Sequence, residues 1–367
     1  MRLIHSICAA SLCVGVAFAQ PAKQWTLSPT PLVSIGSVDQ GGPEMFGRVA
    51  GAVRLSTGDL AIADAQASEV RFFDARGRFR RAMGRSGDGP GEYRTISSVH
   101  RCAKDTIIVY DPSNLRLTVV SPAGALARTL DVRTIAGNNA PPYEMSCNED
   151  GLFAFIHRSP APPTGIGPRR PPVSIVLARN GRIVPLGSFP AGERYFNGSN
   201  DAPRPLGKVT SVAIGRSVVY VGTGEGSEVA AYAMNGTLIK RLSIPGAPVR
   251  LTRGDIDRYV RDRTARAAGL SDTVALARYY RAIEYPEMLP AYRRLLADAQ
   301  DRLWVEEYAL PGASVVNWTI VAPSGAVVAK LRIPSAFEPT EVTASHVTGI
   351  WRDENAVPFV RTYAVVR

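Results

Sequence analysis

Four histidines occur in the 367 residues, and one of them, His5, falls in an apolar leader. The others, His100, His157 and His346, are far apart and share no i, i+4 spacing, so they could form a zinc site only by converging in space. Four carboxylates, Glu44, Glu92, Glu144 and Glu341, stand near the starts of strand-like runs. Carboxylates from separate elements could hold a divalent cation that acts as a Lewis acid. The sequence has no nucleophile elbow, Walker loop, dinucleotide fingerprint or Cys-x-x-Cys. Gly222-Thr223-Gly224-Glu225-Gly226 is flanked by strand-like runs and leads into no helix, so it is a hairpin loop and not a phosphate cradle. No catalytic residue or metal ligand is assigned on this basis. No cofactor is expected, although a divalent cation stays open.

The elements that must position these groups repeat. Five short turns end in a glycine, at Gly77, Gly124, Gly181, Gly236 and Gly325, each between two apolar, β-rich runs. Glycine supplies the positive φ such turns need. A second hairpin precedes each: Leu55 to Asp64, Cys102 to Asp111, Cys147 to Phe155, Val212 to Val221 and Leu296 to Val305. Two consecutive hairpins make a four-stranded antiparallel blade, and Gly77 and Gly124 lie 47 residues apart, close to a blade period. A last blade has only three strands at the C-terminus, Thr340–His346, Gly349–Asp353 and Phe359–Val366. Its fourth is expected from Leu32–Ile35. Similar loops running through Gly and Pro to Glu, an aromatic and Arg follow both Leu32–Ile35 and the outer strand of the first blade. The expected fold is therefore all-β, a six-bladed β-propeller over residues 20–367 closed by an N-terminal strand, which leaves no exposed sheet edge.

Two insertions interrupt the repeat. Pro160–Pro172, rich in Pro, Gly and Arg, is expected to be a loop with no packing of its own. Between the fourth and fifth blades, about 251–290, Thr252 and Asp255 resemble a helix N-terminal cap. Ile256, Tyr259, Val260 and Ala267 then recur at helical spacing. Gly269 reads as a stop and Ser271 as the start of a second helix, ended by Pro286 and Pro290. Such helices are either a lid or docking element over one face, or surface decoration.

Residues 1–19 read as a signal peptide: Arg2, an apolar stretch from Leu3 to Phe18, and the small-x-small signal Ala17-Phe18-Ala19. The mature chain is expected to be periplasmic or secreted, with no transmembrane segment after cleavage. Its net charge, +11 overall and +10 without Arg2, favours acidic partners. The basic residues are not interleaved with aromatics as a nucleic-acid platform would be, so no nucleic acid is expected. Cys102 and Cys147 remain after cleavage and end the first strands of adjacent blades. In an oxidising compartment they could pair; the alternative is two buried thiols.

The loop Gly84-Arg85-Ser86-Gly87-Asp88-Gly89-Pro90-Gly91-Glu92-Tyr93, with the segments Gly349-Ile350-Trp351 and Phe359-Val360-Arg361, resembles bacterial exported six-bladed β-propellers of the NHL-like or TolB-like type. The resemblance spans the mature chain and implies a fold, not a chemistry. It supports an extracytoplasmic scaffold that binds a protein, a glycan or a small molecule through loops and the channel mouth. The contact ring expected near the starts of inner strands is Arg48, Glu92, Tyr93, Arg94, Tyr143, Glu144, Lys208 and Tyr292. The alternative is a metal-dependent hydrolase, lactonase or lyase with its site in the central channel, as in regucalcin-like lactonases and peptidyl-amidoglycolate lyases. Whether the chain is an enzyme stays open at this level.

Overall fold

A computed structural model describes residues 22–38, 41–159, 162–246, 248–267 and 272–367. The leader lies outside them, as do Gly269 and Ser271. Antiparallel four-stranded meanders follow one another along the chain. The first is Val49–Arg54, Leu60–Asp64, Glu69–Phe73 and Phe79–Met83. The second is Ser98–Arg101, Ile107–Asp111, Arg116–Val120 and Leu126–Asp131. The third is Glu144–Cys147, Phe153–Arg158, Pro172–Arg179 and Arg182–Pro190. The fourth is Ser211–Ile214, Val218–Gly222, Glu228–Ala233 and Leu238–Ser243, and the fifth is Tyr292–Ala297, Leu303–Glu307, Val315–Val321 and Val327–Pro334. The last combines Phe337–Val342, His346–Arg352 and Pro358–Val366 with Val33–Ile35, which pairs antiparallel with Val360–Thr362.

Burial shows how the sheets stack. The second strands Leu60–Asp64, Ile107–Asp111 and Val218–Gly222 are buried on both faces, whereas the fourth strand Phe79–Met83 is largely exposed. Each sheet therefore presents apolar residues to both neighbours. Val53 and Val70 of the first sheet pack with Val99 and Ile107 of the second. Tyr110 and Leu117 of the second meet Met145 and Phe155 of the third. Similar cores join the third to the fourth and the fourth to the fifth. Trp304 and Trp318 of the fifth face Val347 and Tyr363 of the last, whose Val33, Ile350 and Val360 pack on Ile62 and Phe73 of the first. The first strands touch in the same order, and Phe337–Val342 returns to Val49–Arg54. Stacking face to face in a closed ring removes each apolar face from water.

Three features depart from the sequence reading. Lys23–Leu27 is a strand that sequence patterning leaves unassigned. It runs parallel to the fifth sheet at Trp25↔Leu331 and antiparallel to the last at Thr26↔Val366, stitching the two together. The Pro-rich insertion is not all loop: Gly167–Arg169 pairs with Arg194–Phe196, which pairs with Asp201–Pro203. Asp201 holds this small sheet by accepting from both Arg169 and Arg194, an ionic pattern that carries no hydrophobic periodicity. In the last sheet the first two strands are Phe337–Val342 and His346–Arg352, so Gly349 lies inside a strand. A Cβ there would stand 2.3 Å from the Glu338 carbonyl oxygen, so this glycine serves close backbone approach rather than a turn.

The segment between the fourth and fifth sheets forms helices at Arg253–Arg266 and Thr273–Ala282. Thr252 and Asp255 cap the first reciprocally. Asp272 caps the second, accepting from the Val274 and Ala275 N–H groups. Among the described residues no helix is long and apolar enough to cross a membrane. A disulfide joins Cys102 and Cys147 across the second and third sheets.

Candidate functional site

The first strands enclose a channel. At the end where they finish and turn, a cavity of about 520 Å³ is lined from every sheet, by Gly51, His100, Glu149, Arg216, Arg294 and Glu341 among others. Arg101 organises this end. It pairs with Glu149 at 2.6 Å, Glu341 at 3.1 Å and Asp105 at 3.3 Å. Glu341 also accepts the Arg54 N–H at 2.8 Å, tying the last sheet to the first. Burial pushes the Glu341 pKa up, and Arg101 and the Arg54 N–H pull it back. The His100 Nε2 is shielded from water and has no hydrogen-bond partner among the described residues. Burial lowers its pKa to about 4, so the ring is neutral at physiological pH.

The opposite end, where the first strands begin, is the more elaborate. One cavity of about 360 Å³ lies among the third, fourth and fifth sheets, lined by Tyr143, Glu144, Arg158, Lys208, Arg293 and Tyr308. A second of about 790 Å³ lies beneath the first inserted helix, lined by Tyr259, Arg263, Glu306, Trp318, Glu338 and Arg352. Arg294 lines both of these and the cavity at the far end, so all three meet at its side chain.

A β-bulge explains how two adjacent arginines serve one site. Successive side chains of a regular strand point to opposite faces. Between Tyr292 and Arg294 the register shifts, and a bulge of this kind re-aims a side chain. Arg293 and Arg294 consequently both reach the Glu306 carboxylate, at 2.6 and 2.8 Å. Glu306 is almost fully buried. Arg294 also faces Glu338 at 3.6 Å and sits 5.6 Å from the Trp318 ring centre. Arg158 lies 4.3 Å from the Tyr143 ring centre, a cation–π stack. Crowding by protein pushes the Glu144 pKa up, to about 7, against the pull of Arg294 and Arg158. The Glu144 side chain is nonetheless exposed to the channel, and water there limits how far that push can go.

The structure gathers only part of the expected contact ring. Tyr143, Glu144 and Lys208 line the same cavity. Tyr93 and Tyr292 are fully buried: Tyr93 packs between the first and second sheets, and the Tyr292 hydroxyl accepts from Gly224 N–H at 3.0 Å. Neither can meet a ligand without repacking the core. Glu92 accepts from Gly89 N–H and pairs with Arg85, while Arg94 pairs with Asp88, so both fold their own loop. Arg48 is exposed and lines none of these three cavities. Arg158, Arg293, Arg294 and Glu306 went unnoticed in the sequence. Their one signal is the doublet Arg293-Arg294 at the start of a strand, where alternation calls for one apolar residue in two.

The carboxylates considered as cation ligands are dispersed. Glu341 belongs to one end of the channel, Glu144 to the other, and Glu92 to an outer loop. His157 contacts the Ala140 carbonyl at 3.0 Å and His346 the Ser345 hydroxyl at 2.8 Å. Among the described residues no group of three or more His, Cys, Asp or Glu is placed to hold a metal ion.

Radially stacked four-stranded meanders around a charged channel define a β-propeller. No protein-family model and no curated protein sequence matches the chain. Solved structures do. A member of the DUF4221 family from Bacteroides vulgatus superposes with a TM-score of 0.55 at 10% identity, covering 94% of this chain and 99% of that one. A Bacteroides fragilis protein named as exported gives 0.50 at 12%, covering 94% and 95%. A gluconolactonase from Xanthomonas campestris gives 0.46 at 11%, covering 95% and 99%, a score too low to bear on chemistry. At these identities the likeness is one of fold.

Proposed function

We propose that the chain is an exported six-bladed, NHL-like β-propeller whose mature part, from about residue 20, forms one domain and binds a ligand at the helix-covered end of its channel. The observation that supports this most is the bulge at Tyr292–Arg294, because it turns two arginines into a passage where three cavities meet. Bulges are enriched beside functional sites, and a concave site with a few convergent polar groups is the usual form of a ligand pocket. The leader supports export, and the likeness to a protein named as exported agrees with it.

The test is differential scanning fluorimetry and native mass spectrometry of the mature protein against a panel of neutral, acidic and basic small molecules. Compounds that raise the melting temperature should lose that effect in Tyr143→Ala and Lys208→Ala, two side chains that line the cavity. Hits insensitive to both substitutions, or a panel without hits, would refute the channel site.

A second reading, a hydrolase or lyase in the channel, draws on one observation. Each end lines its cavity with a titratable group that burial displaces from its ordinary pKa, Glu144 at one and His100 at the other, and such displaced groups are enriched at catalytic sites. Metal analysis of protein prepared without chelator bears on its metal-dependent form: a stoichiometric calcium or zinc would favour it.

A further inference from the structure

Carboxylates around the helix-side end of the channel are mostly shared between two cations. Asp201 serves Arg169 and Arg194. Glu225 serves Arg170 and Lys208. Glu306 serves Arg293 and Arg294, and Glu338 serves Arg294 and Arg352. Arg204 has Glu193 and, farther off, Glu284. Arg158 makes no ion pair among the described residues and only stacks on Tyr143. Glu144, the one remaining carboxylate of the cavity, likewise makes no ion pair or hydrogen bond among the described residues, although it begins the strand beside Tyr143. The end is thus short of negative charge, and Arg158 and Glu144 line the same cavity, each without an ion pair among the described residues.

We propose that this cavity binds a small organic carboxylate, gripped by Arg158 and by the bulge arginines Arg293 and Arg294. The inference rests on the channel being a ligand site and names the class of ligand. A guanidinium offers paired N–H donors that match the two oxygens of a carboxylate, and about 360 Å³ admits a molecule of monosaccharide size. Glu144 then faces an acid of the same kind. Two carboxylates cannot both be charged at close range, so Glu144 binds the ligand as the neutral acid, donating a hydrogen bond to it. The groups facing Glu144 are Arg158 and Tyr143 on its own sheet, Arg293, Arg294 and Tyr308 of the fifth, Lys208 ahead of the fourth, and the Glu193–Arg204 and Asp201–Arg194 pairs over the opening. Their balance is cationic. The surrounding protein raises the Glu144 pKa, which favours the protonated form that the ligand carboxylate requires.

Binding therefore takes up or retains one proton. Affinity should hold at acidic pH and weaken by up to about tenfold per pH unit above the Glu144 pKa.

Isothermal titration calorimetry of the mature protein with lactate, glucuronate, glucose and inorganic phosphate, from pH 5.5 to 8.5, tests this. At least one of the two carboxylates should bind, with glucose and phosphate at least tenfold weaker. Arg158→Ala should lower carboxylate affinity at least tenfold while the protein still folds and melts cooperatively, since Arg158 makes no ion pair among the described residues and only stacks on Tyr143. Glu144→Gln, a neutral hydrogen-bond donor of the same shape, should keep the affinity seen at pH 6 and abolish its pH dependence. Equal binding of glucose or phosphate, no effect of Arg158→Ala, or an unchanged pH profile in Glu144→Gln would each overturn the proposal. If both carboxylates fail while neutral or basic compounds still act through Tyr143 and Lys208, the channel remains a ligand site and only the ligand class falls.

Discussion

The carboxylate of Asp111 accepts the backbone N–H of Arg94 at 2.8 Å. Asp64 does the same for Arg48 at 3.1 Å, one sheet earlier. Each aspartate ends the second strand of its sheet and also accepts N–H groups from the turn that follows, Ser113 and Asn114 for one, Gln66 and Ala67 for the other. One buried side chain thus fixes the turn and the approach to the first strand. The arginines beside these bonds are held through their backbone, and the Arg94 side chain pairs with Asp88 of its own loop.

Asp111→Ala should therefore destabilise the protein by about 2–4 kcal/mol, because several charge-assisted bonds are lost and their donors are left buried. Arg94→Ala should cost far less, since its pair with Asp88 is exposed on both sides. Urea melts of the two variants check the contrast. Equal losses would mean that the arginine side chain, and not the aspartate, organises the loop.

Glu306→Ala should be harmful for a different reason. It leaves Arg293 without its carboxylate and Arg294 with only the distant Glu338. Removing one partner of a buried pair costs about 3–5 kcal/mol, and the half-exposed Arg293 reduces this to about 2–3 kcal/mol. Glu306→Gln should recover part of the loss by keeping an acceptor. A melting temperature indifferent to Glu306→Ala would show that the bulge arginines do not depend on it.

The Cys102–Cys147 bond closes a segment with a sequence separation of 45. Constraining a loop of that length restricts the unfolded chain by an amount worth about 4 kcal/mol in the chain-entropy view, and measured values are commonly about 2–4 kcal/mol. The double variant Cys102→Ser/Cys147→Ser, or reduction of the native protein, should lower stability within that range. Identical melts of oxidised and reduced protein would show that the link contributes nothing.

The sheets could be read from the sequence because their signals are local. A turn such as Ala233-Met234-Asn235-Gly236 announces itself through residues that tolerate positive φ, and the buried strands beside it are apolar runs. The strand at Lys23–Leu27 could not be read, since Trp25 is its one deeply buried side chain and its two partners lie some 300 residues downstream. The site was partly legible. Tyr143, Glu144 and Lys208 stand where strand starts converge, and position along a repeat is enough to find them. Tyr93 and Tyr292 occupy comparable positions but point into the spaces between sheets, a matter of one residue's phase in a two-residue period. Arg293 and Arg294 escaped because a bulge breaks that phase.

Two channel groups give opposing dependences of stability on pH. His100 has an ordinary pKa of 6.5 that burial lowers to about 4. Between those values the unfolded chain binds a proton that the folded one refuses, so this contribution to stability is complete above about pH 6.5 and is lost as pH falls toward 4. Glu144 runs the other way. Its pKa rises from 4.5 to about 7, so the folded chain holds the extra proton, and stability contributed below about pH 4.5 is lost as pH rises through 7. In the wild-type protein the two slopes offset each other. Single variants separate them: His100→Gln should leave a protein that loses stability as pH climbs from 4.5 to 7, and Glu144→Gln one that gains it. Imidazole NMR gives the direct check, with His100 remaining neutral until about pH 4. A His100 titration centred near 6.5 would place that ring in contact with water and remove its contribution to the pH dependence.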